Sequence, residues 1–248
     1  MSLENKVAIV TGATRGIGRA VAERLGRDGA AVVVNYRAER DGAKQSAEDV
    51  VEAITSAGGR AVAVAGDVSR SGDVQGLFDA AEEHFGGVDI LVNNAAMFAA
   101  APLEYLPEEV FDQLLAVNLK SVYFSGQQAT ARLRDGGRIV NIAAGLPNGG
   151  IAFMGAYGAT KAGVEVLSRS LAHALGARGI TVNAVLPGPT DTDMLSEEAR
   201  KAEAQIIGST PLGRLGRPAD LADVVAFLAS DDSRWVTAQA IAVNGGFE

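Results

Sequence analysis

The sequence predicts an α/β protein built on one doubly wound parallel sheet. Three observations carry this expectation. Apolar runs rich in Val, Ile and Ala alternate with helix-like segments along the whole chain. The runs are continuously apolar instead of alternating, the pattern of strands covered on both faces. Helical segments separate successive runs, so right-handed crossovers place helices on both sides of the sheet. The 248 residues suit one domain, 1–248, with a large core, and no linker, low-complexity segment or internal repeat divides them.

KVAIVTG (6–12) is the first expected strand and RGIGRAVAERLGRDG (15–29) the first helix. AVVVNY (31–36) is the second strand, followed by an amphipathic helix from about Gly42 to Ala57. RAVAVAGDV (60–68) makes the third strand, and a helix ending near His84 leads to VDILVNNAA (88–96), the fourth. A long helix joins it to GGRIVNIAA (136–144), the fifth. A helix from about Gly155 to Arg178 precedes ITVNAVLPG (180–188), and another at about 218–230 precedes the last strand, AIAVNGG (240–246). The stretch 189–217 has no strand pattern and is rich in Thr, Asp, Gly and Pro at its ends, so a lid over the carboxyl ends of the strands is expected there.

Composition excludes several classes of function. Hydrophobic residues at 48% and charged residues at 21% are ordinary for a globular domain. A net charge of −8 argues against nucleic acid or an anionic membrane as partner. With no cysteine, disulfides and thiol chemistry are ruled out, which fits a reducing compartment. The strand pattern begins by Lys6, so no secretory leader is expected. No apolar run approaches the roughly 18 residues needed to cross a bilayer. A cytoplasmic location follows as the expectation. His84 and His173 lack a neighbouring ligand pattern and read as surface or helix-packing residues, so no metal is expected.

TGATRGIG (11–18) lies between the first strand and the first helix. Gly12, Gly16 and Gly18 permit a tight turn and close approach of a ligand, while Thr14, Arg15 and Ile17 fill the turn. The helix then aims its first N–H groups at an anion, as a nucleotide phosphate requires. A structural turn at an ordinary βα junction is the alternative. No GxxxxGK[ST] run and no GxSxG elbow is present, which disfavours P-loop hydrolysis and an α/β-hydrolase.

Together with NNAA (93–96), YGATK (157–161), PGPTDTDM (187–194) and WVTAQAIAVNGG near the end, that glycine spacing resembles the short-chain dehydrogenase/reductase family in its branch of this length. The resemblance covers the whole chain. It implies a Rossmann-type sheet and an NAD(P)(H)-dependent oxidoreductase interconverting a ketone and a secondary alcohol by hydride transfer. Branch members include 3-oxoacyl carrier-protein reductases, sugar dehydrogenases such as glucose dehydrogenase, and reductases of aromatic polyketides such as naphthols.

Tyr157 and Lys161 are four apart, so on a helix they share a face. A free phenol is mostly protonated at neutral pH, and a nearby ammonium is expected to lower its pKa toward the working range. Tyr157 is then the acid or base of the reaction. The resemblance gives Lys161 a second task, holding the nicotinamide ribose, and puts Asn118 in a water-linked proton path. A buried amide satisfying a helix bend is the other reading of Asn118, and both can hold. The family places a serine at the position that is Ala144 here, counted back from Tyr157 or forward from Asn141. That hydroxyl bonds the substrate oxygen, and alanine cannot. Losing one such donor typically costs about 10²–10³ in rate. Three readings of Ala144 stand open: an introduced substitution, a natural one in which a substrate group or water supplies the bond, or a nucleotide-binding relative that has lost most of its chemistry and acts as a binding or regulatory protein.

An NAD site would end the second strand with an acid for the adenosine ribose. Here Asn35 and Tyr36 end it, Arg37 follows, and Arg15 lies in the glycine turn. Two guanidiniums without an acid suit a 2′-phosphate, so NADP(H) is expected in preference to NAD(H). The alternative for Arg37 and Arg40 is surface pairing with Glu39 and Asp41. By resemblance Asp67 and Val68 flank the adenine and Asn94 and Ala95 line the ribose side. Pro187, Gly188 and Thr190 match the stretch at the nicotinamide carboxamide. Met97, Phe98, Ile151, Phe153, Met154, Met194 and Leu195 should make the substrate site mainly apolar, suited to a carbonyl or alcohol on an apolar or ring-shaped body. Trp235 and Phe247 lie where the family packs subunits into tetramers; core packing is their alternative.

Overall fold

Strand β1 (Val7–Val10) shows why these runs are apolar throughout. Val7 and Ile9 enter one core, Ala8 and Val10 the other, and all four are fully enclosed. The same alternation holds in β2 (Ala31–Tyr36), whose Ala31 and Val33 face one side and Val32, Val34 and Tyr36 the other. The computed structural model describes residues 2–145 and 152–247. Five further strands, β3 (Arg60–Ala65), β4 (Val88–Asn93), β5 (Leu133–Ile142), β6 (Thr181–Pro187) and β7 (Ala240–Val243), complete a sheet in the order β3-β2-β1-β4-β5-β6-β7. Every pairing is parallel. The winding reverses between β1 and β4, and the crevice at their carboxyl ends is where such sheets bind ligands.

Helices α1 (Gly16–Arg27) and α2 (Ala43–Ser56), joined late in the chain by α9 (Pro218–Ala229), cover one face. Leu25, Val50, Ile54, Leu221 and Val225 pack there against Val32, Val34 and Val92. Helices α3 (Ser71–Phe85), α5 (Ser121–Arg132) and α6 (Gly155–Leu175) cover the other, with Leu77, Phe78, Leu171 and Leu175 against Ile9, Leu91 and Ile139. The fold class is therefore as expected.

Details differ in informative ways. Several strands end earlier than the apolar pattern does: β1 stops at Val10, β3 at Ala65, β4 at Asn93 and β5 at Ile142. The residues that follow leave the ladder to form the crevice. The helix expected between β4 and β5 is broken into α4 (Glu108–Leu115), a single π-helical turn (Ala116–Lys120) and α5. The helix expected to end near Arg178 stops at Leu175 and closes with a 3₁₀ turn at Gly176–Arg178. Two short helices, α7 (Glu197–Lys201) and α8 (Glu203–Gly208), lie within 189–217. That segment is fastened at its two ends by a bridge between Thr190 and Gly216.

Close packing of the β1–α1 turn depends on Gly18. A Cβ there would collide with the Gly12 carbonyl and the Asn94 amide. Gly18→Ala is therefore expected to cost about 1–3 kcal/mol, as forced overpacking does. Urea unfolding measures it, and an unchanged midpoint would show that the turn yields to the added methyl.

Candidate active site

Helix α6 delivers Tyr157 and Lys161 to the carboxyl end of β5. Both are buried, at 8% and 3% exposure. Lys161 Nζ donates to the Ile142 carbonyl at 2.8 Å, using the last peptide of β5 as its anchor, and forms no ion pair among the described residues. The ammonium lies 5.9 Å from the centre of the Tyr157 ring. Phe98 packs edge-on against that ring with centroids 5.1 Å apart. The expected lowering of the phenol pKa does not occur in the protein alone. Burial pushes the Tyr157 phenol up to about 12 and pulls the Lys161 ammonium down to about 8. Desolvation penalises the phenolate and the ammonium alike and is the cause of both shifts. The phenol is consequently held as a proton donor at neutral pH.

Ala144 lies half-buried just beyond β5, two residues from the carbonyl that anchors Lys161. The strand tip there is pinned to β6, with Ala143 N–H donating to the Val185 carbonyl and Gly145 N–H to that of Pro187. Asn118 sits inside the π-helical turn and is buried. Its Oδ1 accepts from Met97 N–H at 2.8 Å, and its Nδ2 donates to the Met97 carbonyl at 2.9 Å and to Thr160 Oγ1 at 3.2 Å. Thr160 Oγ1 in turn donates to the Tyr157 carbonyl at 2.7 Å. The extra residue of the π turn thus lets one amide tie the chain after β4 to the helix that carries Tyr157. Sequence reasoning missed Thr160 and the π turn. A threonine between Tyr157 and Lys161 has no signal of its own, and π turns leave none in periodicity.

The glycine turn forms a cradle. Gly12 has φ +61° and a Cβ there would meet Ala95 Cα at 2.9 Å; Gly16 has φ +53°. Arg15 occupies the N-cap of α1 without a side-chain capping bond, and no acid stands in the first turn, so the leading N–H groups face the crevice free for an anion. Thr14 and Ile17 flank them, partly exposed. Asn35 is turned inward: its Oδ1 accepts from Gly12 N–H at 3.2 Å and its Nδ2 donates to the Gly66 carbonyl at 3.0 Å. Tyr36 is likewise buried, in the α1–α2 core. Asn94 braces the turn from β4, donating to the Thr11 and Gly12 carbonyls at 2.9 and 3.1 Å.

Arg15, Arg37 and Arg40 gather beside the turn. Among the described residues Arg37 and Arg40 form no ion pair, and Glu39 pairs with Arg70 instead. Partial burial and the charges of Arg15 and Arg37, offset in part by Asp193, hold the Arg40 guanidinium below its usual range. Partial burial works against the Asp67 charge, but hydrogen bonds from Ser69 and the charges of Arg37 and Arg70 outweigh it and lower its carboxyl pKa. Val68 is buried beside it. Thr190 is buried after Pro187 and Gly188, its Oγ1 bonded to the Gly188 carbonyl at 2.9 Å. A glycine cradle with no room for a Cβ, free helix N–H groups and three clustered guanidiniums fit a phosphorylated dinucleotide.

Met97, Phe98, Met154 and Leu195 are half-buried, Phe98 against Tyr157, and Phe153 and Met194 are exposed. Ile151, expected with them at the substrate site, lies outside the described residues. His84 and His173 are exposed. Trp235 is 97% exposed, so the core-packing alternative fails for it; Phe247 is half-buried. No helix among the described residues is long and apolar enough to cross a membrane.

A family model described as enoyl-(acyl carrier protein) reductase matches residues 12–248. The chain is 44% identical to an uncharacterized oxidoreductase of Methylorubrum extorquens, over 98% of each. It is 41% identical to a short-chain type dehydrogenase/reductase of Picea abies, over 98% of this chain and 93% of that one. Among solved structures it is similar to the angucycline C-6 ketoreductase LanV with bound NADP, at TM-score 0.91 and 40% identity over 99% and 96% of the two chains.

The buried ammonium makes a measurable demand on stability. Lys161 ionises less readily when folded, so its burden on the fold is full below about pH 8 and is relieved as pH rises toward 10.5. Tyr157 acts in the opposite sense, and stability falls between pH 10 and about 12. Lys161→Met is expected to raise the unfolding free energy at pH 7 by about 1–3 kcal/mol, since it removes a buried charge and leaves one carbonyl unpaired. Urea unfolding at pH 7 and pH 10 tests this. The gain should shrink at the higher pH, and a less stable variant at pH 7 would contradict it.

Proposed function

The chain belongs to the short-chain dehydrogenase/reductase family of oxidoreductases, and on that premise we propose that it is an NADP(H)-dependent enzyme interconverting a ketone and a secondary alcohol on an apolar, ring-shaped body. The observation that carries this reading is the buried Tyr157–Lys161 pair at the carboxyl end of β5, the same end of the parallel sheet as the glycine turn that follows β1. A bound nicotinamide supplies or takes up the hydride. Tyr157 gives its phenolic proton to the substrate oxygen in reduction and takes it back in oxidation. Lys161, fixed on the Ile142 carbonyl, keeps two N–H donors for the ribose hydroxyls and for the phenol oxygen. Asn118 holds Met97 and α6 in register and so keeps the phenol aimed at the crevice, beside the proton path the family places there. Arg15 and Arg37 support the 2′-phosphate and hence NADP(H); NAD(H), lacking that phosphate, is the weaker ligand. The bound NADP of LanV agrees with this.

The substrate reading rests on the rim. Leu103, Tyr105, Phe153, Met194 and Leu212 are exposed apolar side chains, and 189–217 is proposed as the lid that closes with them over the substrate. LanV, similar over nearly the whole chain, is described as an angucycline C-6 ketoreductase. With Ala144 in the serine position, Tyr157 alone among the family's two donors remains to hold the substrate oxygen, and turnover is lowered. A nucleotide-binding relative with little catalysis is the second reading, and Ala144 alone favours it.

NADPH oxidation with a panel of cyclic and polycyclic ketones tests the proposal. Ala144→Ser should raise kcat/KM by roughly 10–10³-fold, the worth of one charge-stabilising donor. Tyr157→Phe should abolish turnover in either background. If no ketone is reduced by the protein or by Ala144→Ser, the binding-module reading replaces the enzyme. We also propose a homotetramer, since Trp235 and the exposed Ala240 and Ala242 of the edge strand β7 leave an apolar surface that a closed oligomer would cover. A sedimentation mass near the 25.5 kDa of one chain at micromolar concentration would refute that.

A further inference from the structure

Arg15 does not wait in open solvent. Its Nη1 lies 3.0 Å from Asp193 Oδ2, an ion pair joining the glycine turn to the segment 189–217 across most of the sequence. Both side chains are exposed, at 44% and 67%, so neither is committed by burial. Asp193 is the carboxylate paired with Arg15, and its charge also acts on Arg40, against the charges of Arg15 and Arg37. The segment carrying it is pressed on the turn, for a Cβ on Gly16 would meet Thr192 Cγ2 at 3.3 Å. From its other side the same stretch is clasped by Arg200, which donates to Asp191 Oδ1 at 3.2 Å and to the Thr192 carbonyl at 2.9 Å. Residues 191–193 are thus held by two arginines, one from the lid itself and one from the phosphate turn.

We infer that Asp193 is a resident counter-ion of the 2′-phosphate site, which the phosphate must displace from Arg15, and that it thereby sets how strongly the chain prefers the phosphorylated cofactor. The inference rests on the NADP(H) reading above. A phosphate monoester carries about −1.5 to −2 charge at neutral pH and three acceptor oxygens, so it takes a guanidinium from a single carboxylate. A ribose hydroxyl carries no charge and leaves the pair intact. Asp193 therefore opposes NADPH twice, by occupying Arg15 and by repelling the incoming dianion, while NADH meets neither effect. Releasing Arg15 also removes one of the two clasps on 191–193, leaving Arg200 as the other. Cofactor entry and the freeing of the lid become one event.

The test is calorimetric titration of the intact protein with NADPH, NADH and 2′-AMP, using wild type, Asp193→Asn, Arg15→Ala and the double variant. Asparagine keeps the size and removes the charge. Asp193→Asn should bind NADPH and 2′-AMP about two- to fivefold more tightly, in line with the strength of exposed ion pairs, and NADH unchanged. In the Arg15→Ala background the same substitution should give a smaller gain, because no Arg15 is left to free. Unchanged or weaker NADPH and 2′-AMP binding by Asp193→Asn would overturn the inference while leaving the cofactor reading intact. If wild type binds NADPH no more tightly than NADH and Arg15→Ala alters neither, the cofactor reading fails and the counter-ion role falls with it.

Discussion

The interaction on which the site depends is the burial of one ammonium group. Lys161 is enclosed at the end of β5 with a backbone carbonyl as its hydrogen-bond acceptor and no ion pair among the described residues. Unpaired charge in an interior is among the more unfavourable arrangements a fold can hold, and it persists only where the surroundings are strong enough to impose it. Here they are two complete apolar cores on either side of a seven-stranded sheet. The same burial that disfavours the ammonium keeps the neighbouring phenol protonated. One constraint thus sets both members of the pair, and it originates in the fold instead of in any third catalytic side chain.

Holding that pair in place falls to a ladder of buried polar residues beneath it. Ser125 of α5 donates to Asn93 of β4, Asn93 donates to Asn141 of β5, and Asn141 donates to Ser168 of α6, each at 2.8 Å. All four are at most 6% exposed. The ladder runs along one face of the sheet from β4 to its neighbour β5 and ties a helix to each. Polar groups in an apolar strand are tolerated when every one finds a partner, and then they allow only one register. A slip of β4 against β5 would break the whole run, so α6 and its tyrosine stay fixed relative to the chain leaving β4.

Much of this was legible in the sequence. The strands and the parallel, doubly wound class of sheet follow from apolar runs separated by helices, because both faces of such a sheet are covered. The cradle was legible because positive φ and backbone contact exclude side chains at Gly12 and Gly18. What stayed hidden were features set by tertiary contact. Asn35 stands near the end of β2, where an NAD site would carry an acid, and its amide faces inward and braces Gly12 and Gly66, a direction no local pattern records. The π turn carries Asn118, whose amide bonds Met97 on one side and Thr160 on the other, contacts set by distant parts of the chain. The direction of the Tyr157 pKa was misjudged because sequence shows a neighbouring charge but not how much water both groups lose.

The bridge between Thr190 and Gly216 also bears on how such a chain can change. Asp191 N–H donates to the Gly216 carbonyl and Gly216 N–H to that of Pro189, both at 2.9 Å, so the long excursion leaves and re-enters the body at one point. Its closure is already secured at the base. Lengthening what lies between would then cost little more than loop entropy, on the order of 0.6 kcal/mol per doubling. Changes in that excursion leave the sheet register and the buried lysine in place, while those at 191–193 also reach the glycine turn through Thr192 and Asp193. The sheet and its two cores thus stand apart from a stretch fastened at a single base, and that stretch can change without the sheet being rebuilt.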